Sequence, residues 1–199
     1  MLALLPLLLL CSFERSPGNF KWDKYLREQV TAINGDISSY AARRAQVWAE
    51  SRDNPLATSN FGGWQKLRMD TSQAVQDGLG AAGLSQFIWP TAERYGAKSI
   101  STKAAHDAIF ESDIYNPFWS LKAMCWYMKS IRMMLVSSAN SIAKRRMLTD
   151  TQFAERCTLA GYNAGEGRIM RLLKKYSSWR DIRTKLPLET RTYSEKIVK

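Results

Sequence analysis

Histidine occurs once in this chain, at His106, and cysteine three times, at Cys11, Cys125 and Cys157. A single histidine excludes a multi-histidine zinc site. It leaves only His106 for a Cys-His or Ser-His pair, and a surface or capping histidine is the simpler reading. Three cysteines with no close spacing argue against a disulfide framework. Cys125 and Cys157 lie in apolar helical surroundings, where a free thiol behaves as a small hydrophobe. No alternating apolar–polar run of useful length and no internal repeat are present, so the fold reads as mainly α-helical. No apolar run reaches the ~20 residues that a membrane-spanning helix needs. Acidic residues are also scarce, 18 Asp and Glu against 29 Lys and Arg, a net charge of +11. Such a balance implies an anionic partner: nucleic acid, an acidic membrane face, or an anionic polymer such as bacterial cell wall.

What is present fits one domain with a hydrophobic core in a chain of 199 residues. Met1–Leu10 is nearly all leucine around Pro6 and ends at Cys11. It is similar to the apolar core of an export signal, and its join to Cys11 is similar to a lipoprotein signal. Neither a preceding Lys or Arg nor the usual small residue before the cysteine is present. Residues 1–19 therefore read as a signal-like segment and a linker through Pro17-Gly18.

Helical spacing of Trp22, Tyr25, Leu26, Val30 and Ile33 predicts a helix from about Phe20 to Ile33, stopped by Asn34-Gly35. Asp36 is a good N-cap for a second helix, from Ile37 to about Ser51. Asn54-Pro55 closes it. Residues 56–79 are polar and broken by Gly62-Gly63, with one short helix expected near Ser72–Gln76. Gly80 to Phe87 reads as a tightly packed helix start, and Pro90 to Gly96 as a short helix closed by glycine. Asn116-Pro117 opens the most hydrophobic helix, whose methionines and tryptophans read as core. Lys144-Arg145-Arg146 reads as a solvated basic turn. Asp150 caps a helix running to Tyr162-Asn163-Ala164-Gly165, a basic segment spans Arg168–Tyr176, and Pro187 begins a last helix.

The second helix carries the chemistry. Its apolar stripe would be Ile37, Tyr40, Ala41, Ala45 and Trp48. Glu50 falls off that stripe, on the side of Arg43 and Gln46, so periodicity alone makes it a solvated carboxylate.

Four segments, taken in order, say otherwise. Glu50-Ser51 with Asn54-Pro55, Gly80-Ala81-x-Gly83-Leu84-x-Gln86 with Pro90-x-Ala92, Tyr162-Asn163-Ala164-Gly165, and Pro187-x-Glu189-Thr190-x-x-Tyr193 together resemble the soluble lytic transglycosylases, relatives of goose-type lysozyme. The resemblance covers about residues 37 to 199. The chain departs from it at Asp77, at Ser85 in place of methionine, and in an insertion over 58–77 that reads as a lid or substrate-binding loop.

The resemblance implies a single lysozyme-like helical domain with a cleft, spanning 20–199, that cleaves the MurNAc–GlcNAc β-1,4 bond of peptidoglycan. Glu50 would act as acid and then as base on the 6-hydroxyl of N-acetylmuramic acid, closing a 1,6-anhydro ring. A leaving oxygen needs a carboxyl whose pKa is raised by burial, and Trp48, Phe87 and Tyr162 could supply the apolar wall. Ser51, Gln86, Tyr162 and Asn163 would bind substrate: Gln86 an N-acetyl group, Tyr162 Glu50 or the sugar through its hydroxyl, and Asn163 the cleft floor. Glu189 and Tyr193 would support the site indirectly. No cofactor or metal is called for. Most glycosidases pair the acid with a second carboxylate, and none occupies a convincing motif position here.

The alternatives are a hydrolytic lysozyme on the same fold, or a basic helical binding module without catalysis. The expected partner is the glycan strand of peptidoglycan, with no specific nucleic acid and a monomeric chain. Membrane association would run through residues 1–11. The expected location is the cell envelope or periplasm after export, with a lipid anchor at Cys11 as one form, or a phage endolysin or virion.

Overall fold

The computed structural model describes residues 20–35, 39–57, 81–97 and 114–198. The leucine-rich segment with Cys11 and the linker, the Asp36 cap and Ile37, the 58–77 insertion with its short helix, and His106 lie outside the described residues. Within them the chain forms nine helices: α1 (Asp23–Asn34), α2 (Tyr40–Ser51), α3 (Trp89–Arg94), α4 (Pro117–Ser138), α5 (Ser141–Thr149), α6 (Thr151–Ala164), α7 (Glu166–Lys175), α8 (Trp179–Arg183) and α9 (Leu188–Ile197). The fold is mainly α, and an isolated bridge between Ala82 and Phe87 is the one β pairing among the described residues. None of these helices is long and apolar enough to cross a membrane.

α4 is the central element. Asn116 caps it by accepting the backbone N–H groups of Phe118 and Trp119, with Pro117 in the first turn. It packs on α1, α5, α6 and α7, and α6 also receives α8 and α9. Leu121, Met124, Cys125, Ile131 and Leu135 are fully buried along it. The reading of its methionines and tryptophans as core needs correcting at Trp126 and Met133, and the helix is also open to water at Phe118. Phe118, Trp126 and Met133 are exposed, because no neighbour covers α4's full circumference. Cys125 and Cys157 are free and buried, as their apolar surroundings imply.

α1 ends where Asn34-Gly35 predicts: Gly35 sits at φ +83° and its N–H closes on Thr31 O. The stripe read on α2 holds at Ala45 but not at Ala41, which is exposed, or Trp48, which is only half-buried, whereas Ala42, Arg43, Arg44, Gln46 and Val47 are buried. The polar side of α2 faces the interior because it has polar partners there. Arg43 forms a buried ion pair with Glu155 of α6 and donates to Gln46 Oε1 at 2.7 Å. Breaking such a pair by removing one member costs about 3–5 kcal/mol, so α2 is pinned to α6 in one register. Beyond α2, Arg52 and Asp53 both take positive φ (53° and 64°), and Arg44 grips the Asp53 carboxylate in a two-pronged bond at 2.6 and 2.5 Å.

Lys144-Arg145-Arg146 is not a turn but the middle of α5, with Asn140 capping the helix ahead of it. Asp150 caps α6 as predicted, accepting from Phe153 N. Nor do residues 81–87, the described part of the segment read as a helix start, form one. Residues 82–87 make a tight turn closed by reciprocal Ala82 and Phe87 hydrogen bonds of 3.0 and 3.1 Å. Gly83, at φ +77°, is required there, since a Cβ would stand 2.2 Å from Ile114 O.

Candidate active site

α2 ends with Glu50 in its last turn, and α9 packs against α2. Tyr193 of α9 donates its hydroxyl to Glu50 Oε1 at 2.5 Å. The glutamate as a residue is half-buried, yet its carboxyl is withdrawn from water. Burial pushes its pKa from 4.5 up to about 7, the Tyr193 hydrogen bond opposes that rise, and the Glu189 charge adds to it. A carboxyl poised at about 7 holds its proton in a useful fraction of molecules near neutrality and can take it back later. Periodicity alone made Glu50 a solvated carboxylate, and that expectation is overturned.

Glu189 stands one helical turn before Tyr193 on α9, so the two share a face. Tyr193, rated an indirect contributor from sequence, is the direct partner of Glu50. Its four-residue spacing from Glu189 puts both on the same side of the last helix but does not encode the contact with Glu50. Burial raises the Tyr193 phenol well above its ordinary range, with the Glu50 charge adding to it, so the tyrosine stays a hydrogen-bond donor.

Tyr162 reaches the site differently from the expectation. Its hydroxyl donates to Ser85 O at 2.5 Å, not to Glu50. Burial raises its pKa well above the ordinary phenol, with the Glu50 charge adding to it, so the two groups feel each other across the site. Its ring lies 5.9 Å from Phe87 and 5.3 Å from Tyr127. Phe87 also meets Tyr95 and Trp119, completing an aromatic cluster beneath the 82–87 turn. Phe87 and Tyr162 pack together in that cluster, whereas Trp48 carries the Arg52 guanidinium 4.9 Å from its ring centroid.

Gln86 sits at φ +48° in the turn, half-buried. Its amide donates to Ala57 O and Gly83 O, both at 3.0 Å. Both amide donors are thus committed to holding the turn against the segment after α2, and the amide carbonyl is the group a ligand would meet. Ser85 is buried and exchanges hydrogen bonds with Ser120 of α4. Ser51 is buried too, and its hydroxyl donates back to Val47 O at 3.1 Å, so its one donor is spent within the end of α2. Asn163 is exposed, and its Oδ1 accepts from Thr190 Oγ1 at 2.6 Å, tying the end of α6 to the start of α9. It fixes that junction.

Sequence reasoning missed the Arg43–Glu155 pair that orients α2 and the Tyr127 hydroxyl bonded to Glu166 at 3.0 Å. The available signal for the first was a lone carboxylate, Glu155, inside the run from Phe153 to Leu159.

Residues 44–184 match the family described as Transglycosylase SLT domain. No curated protein and no solved structure matches the chain.

Proposed function

The chain belongs to the transglycosylase SLT domain family, whose members are murein lytic transglycosylases acting on peptidoglycan, and from that premise we propose the chemistry of its site. Residues 20–199 act as the catalytic domain. Glu50 is the acid and then the base of a reaction that cleaves the MurNAc–GlcNAc β-1,4 bond and leaves a 1,6-anhydro-MurNAc end.

One observation carries this reading: a single glutamate, raised to about 7 by burial, held by a tyrosine that stays protonated. In the first step the Glu50 proton passes to the bridging oxygen as the glycosidic bond breaks, and the leaving sugar departs as an alcohol. Glu50 is then a carboxylate, whose charge Tyr193 supports by hydrogen bond. In the second step Glu50 takes the proton of the sugar's own 6-hydroxyl while that oxygen bonds to the anomeric carbon. The ring closes, Glu50 regains its proton, and no water is consumed.

Tyr162 and Gln86 hold the 82–87 turn that forms one side of the site, and the carbonyl of the Gln86 amide is suited to accept from an N-acetyl N–H. Glu189 favours a second reading, hydrolysis, because a neighbouring carboxylate could hold a water. The products separate the two: anhydro ends support the transglycosylase and reducing ends the hydrolase.

A further inference from the structure

A cavity of about 620 Å³ opens on the side of the molecule where α4, α5 and α6 meet the start of α2, and Glu50 is not among its lining residues. Its lining holds four cations, Arg43, Lys129, Arg132 and Lys144, against one carboxylate, Glu155. That carboxylate is taken by Arg43 in the buried ion pair. Lys129 is tied to Ile33 O at 2.6 Å, and none of Lys129, Arg132 and Lys144 is ion-paired among the described residues. Three of the lining cations therefore have no carboxylate partner among the described residues.

The walls between these cations are apolar. Met133, Val136 and Leu148 line the same cavity, with Met133 64% and Leu148 63% exposed. On α4 the positions Lys129, Arg132, Met133 and Val136 follow helical spacing and form one stripe. On α5 Lys144 and Leu148 are one turn apart and share a face. Large apolar side chains left in water beside unpaired cations fit a partner that is anionic at one end and apolar behind it.

We infer that this face docks the protein on a membrane surface, seating an anionic phospholipid with its phosphate among Lys129, Arg132 and Lys144 and its acyl chain on Met133, Val136 and Leu148. Glu50 lies seven residues beyond Arg43 on α2, two turns or roughly 10 Å along the axis. The inference concerns a surface away from Glu50 and stands independently of the reaction assigned to it.

The test is co-sedimentation of the full chain with phosphatidylglycerol vesicles, phosphatidylcholine vesicles serving as the zwitterionic comparison. Binding to the anionic vesicles alone is expected. Lys144→Glu and Leu148→Glu should each weaken it by about tenfold or more. Arg171→Glu makes the same charge change as Lys144→Glu, and a larger one than Leu148→Glu, on the exposed side of α7 and should weaken it much less. Activity on soluble glycan should be unchanged in all three, which shows that they fold. Equal binding to both vesicles, an equal loss in Arg171→Glu, or retention in Leu148→Glu would overturn the inference. So would release of the protein by inorganic phosphate alone, which would make the face a simple anion site.

Discussion

Tyr193 of α9 and Glu50 of α2, 143 positions apart in the chain, meet through a hydrogen bond of 2.5 Å from the phenol to the carboxylate. The contact has two opposing effects on one proton. Burial of the pair makes the carboxylate costly and lifts Glu50 to about 7, while the phenol stabilises the carboxylate once it forms. The balance leaves an acid that can release its proton and recover it.

Replacing Glu50 with Gln should reduce wall lysis by about 10²–10⁴-fold or more, since the amide keeps its shape and can accept from Tyr193 but cannot carry the proton. The same change should raise stability in a pH-dependent way. The folded-state pKa of about 7 lies above the ordinary 4.5. Between those values the unfolded chain has shed a proton that the folded chain keeps, so wild-type stability falls as pH rises through that window and stays lower above it. Glu50→Gln escapes the penalty and should gain about 1–3 kcal/mol over wild type at about pH 8, with little gain at about pH 4. Urea unfolding at the two pH values measures this. Equal effects at both would place the Glu50 carboxyl in water.

Two neighbours should move the alkaline limb of activity in opposite directions. Wild-type kcat/KM should fall as pH rises through about 7, when the acid loses its proton. The Tyr193 hydrogen bond lowers the Glu50 pKa, so Tyr193→Phe should shift that limb to higher pH. The Glu189 charge raises it, so Glu189→Gln should shift the limb to lower pH. Profiles that move together, or not at all, would remove Glu50 as the titrating group.

The helices were legible because their punctuation is local: Asn34-Gly35, Asn116-Pro117, Asp150 and Pro187 each stop or start a helix where the structure has one. α2 was misread because its interior is polar. Helical periodicity assumes that buried residues are apolar, and Arg43 violates that assumption through a partner, Glu155, 112 positions away, and Gln46 through its bond from Arg43. Glu50 was placed on the correct side of α2, but that side faces inward. Motif order brought Glu50, Tyr162 and Tyr193 into one neighbourhood, yet not which hydroxyl bonds which oxygen. Tyr162 goes to Ser85 and Tyr193 to Glu50, an assignment decided by packing of α6 and α9 that no spacing encodes.

The Arg43–Glu155 pair should prove the most damaging buried contact to break from one side. Glu155→Ala leaves a guanidinium that is 2% exposed without its carboxylate, at a cost of about 3–5 kcal/mol. Replacing both members with apolar residues, Arg43→Met with Glu155→Leu, should recover most of that loss. Chemical denaturation of the single and double variants checks it, and a loss below about 1 kcal/mol in Glu155→Ala would mean that water reaches Arg43.

The fate of the sugar's anomeric carbon decides between the two chemistries that one poised glutamate allows. Internal attack needs only the proton on Glu50 and the substrate's 6-hydroxyl, and it leaves every cleaved strand with a 1,6-anhydro-MurNAc end. Hydrolysis needs a water held on the correct face, commonly by a second carboxylate. Among the described residues Glu189 is the carboxylate whose charge is felt at Glu50, but it is exposed and sits a turn from Tyr193 at the start of α9. An exposed carboxylate holds water loosely, whereas the substrate's hydroxyl is tethered to the reacting carbon and has a high effective concentration. Digested peptidoglycan should therefore yield muropeptides lighter by one water than their hydrolysed counterparts, with ends that resist borohydride reduction. Glu189→Gln should leave that product pattern unchanged. Reducible ends that vanish in Glu189→Gln would instead make Glu189 the group that holds the water, and the enzyme a hydrolase.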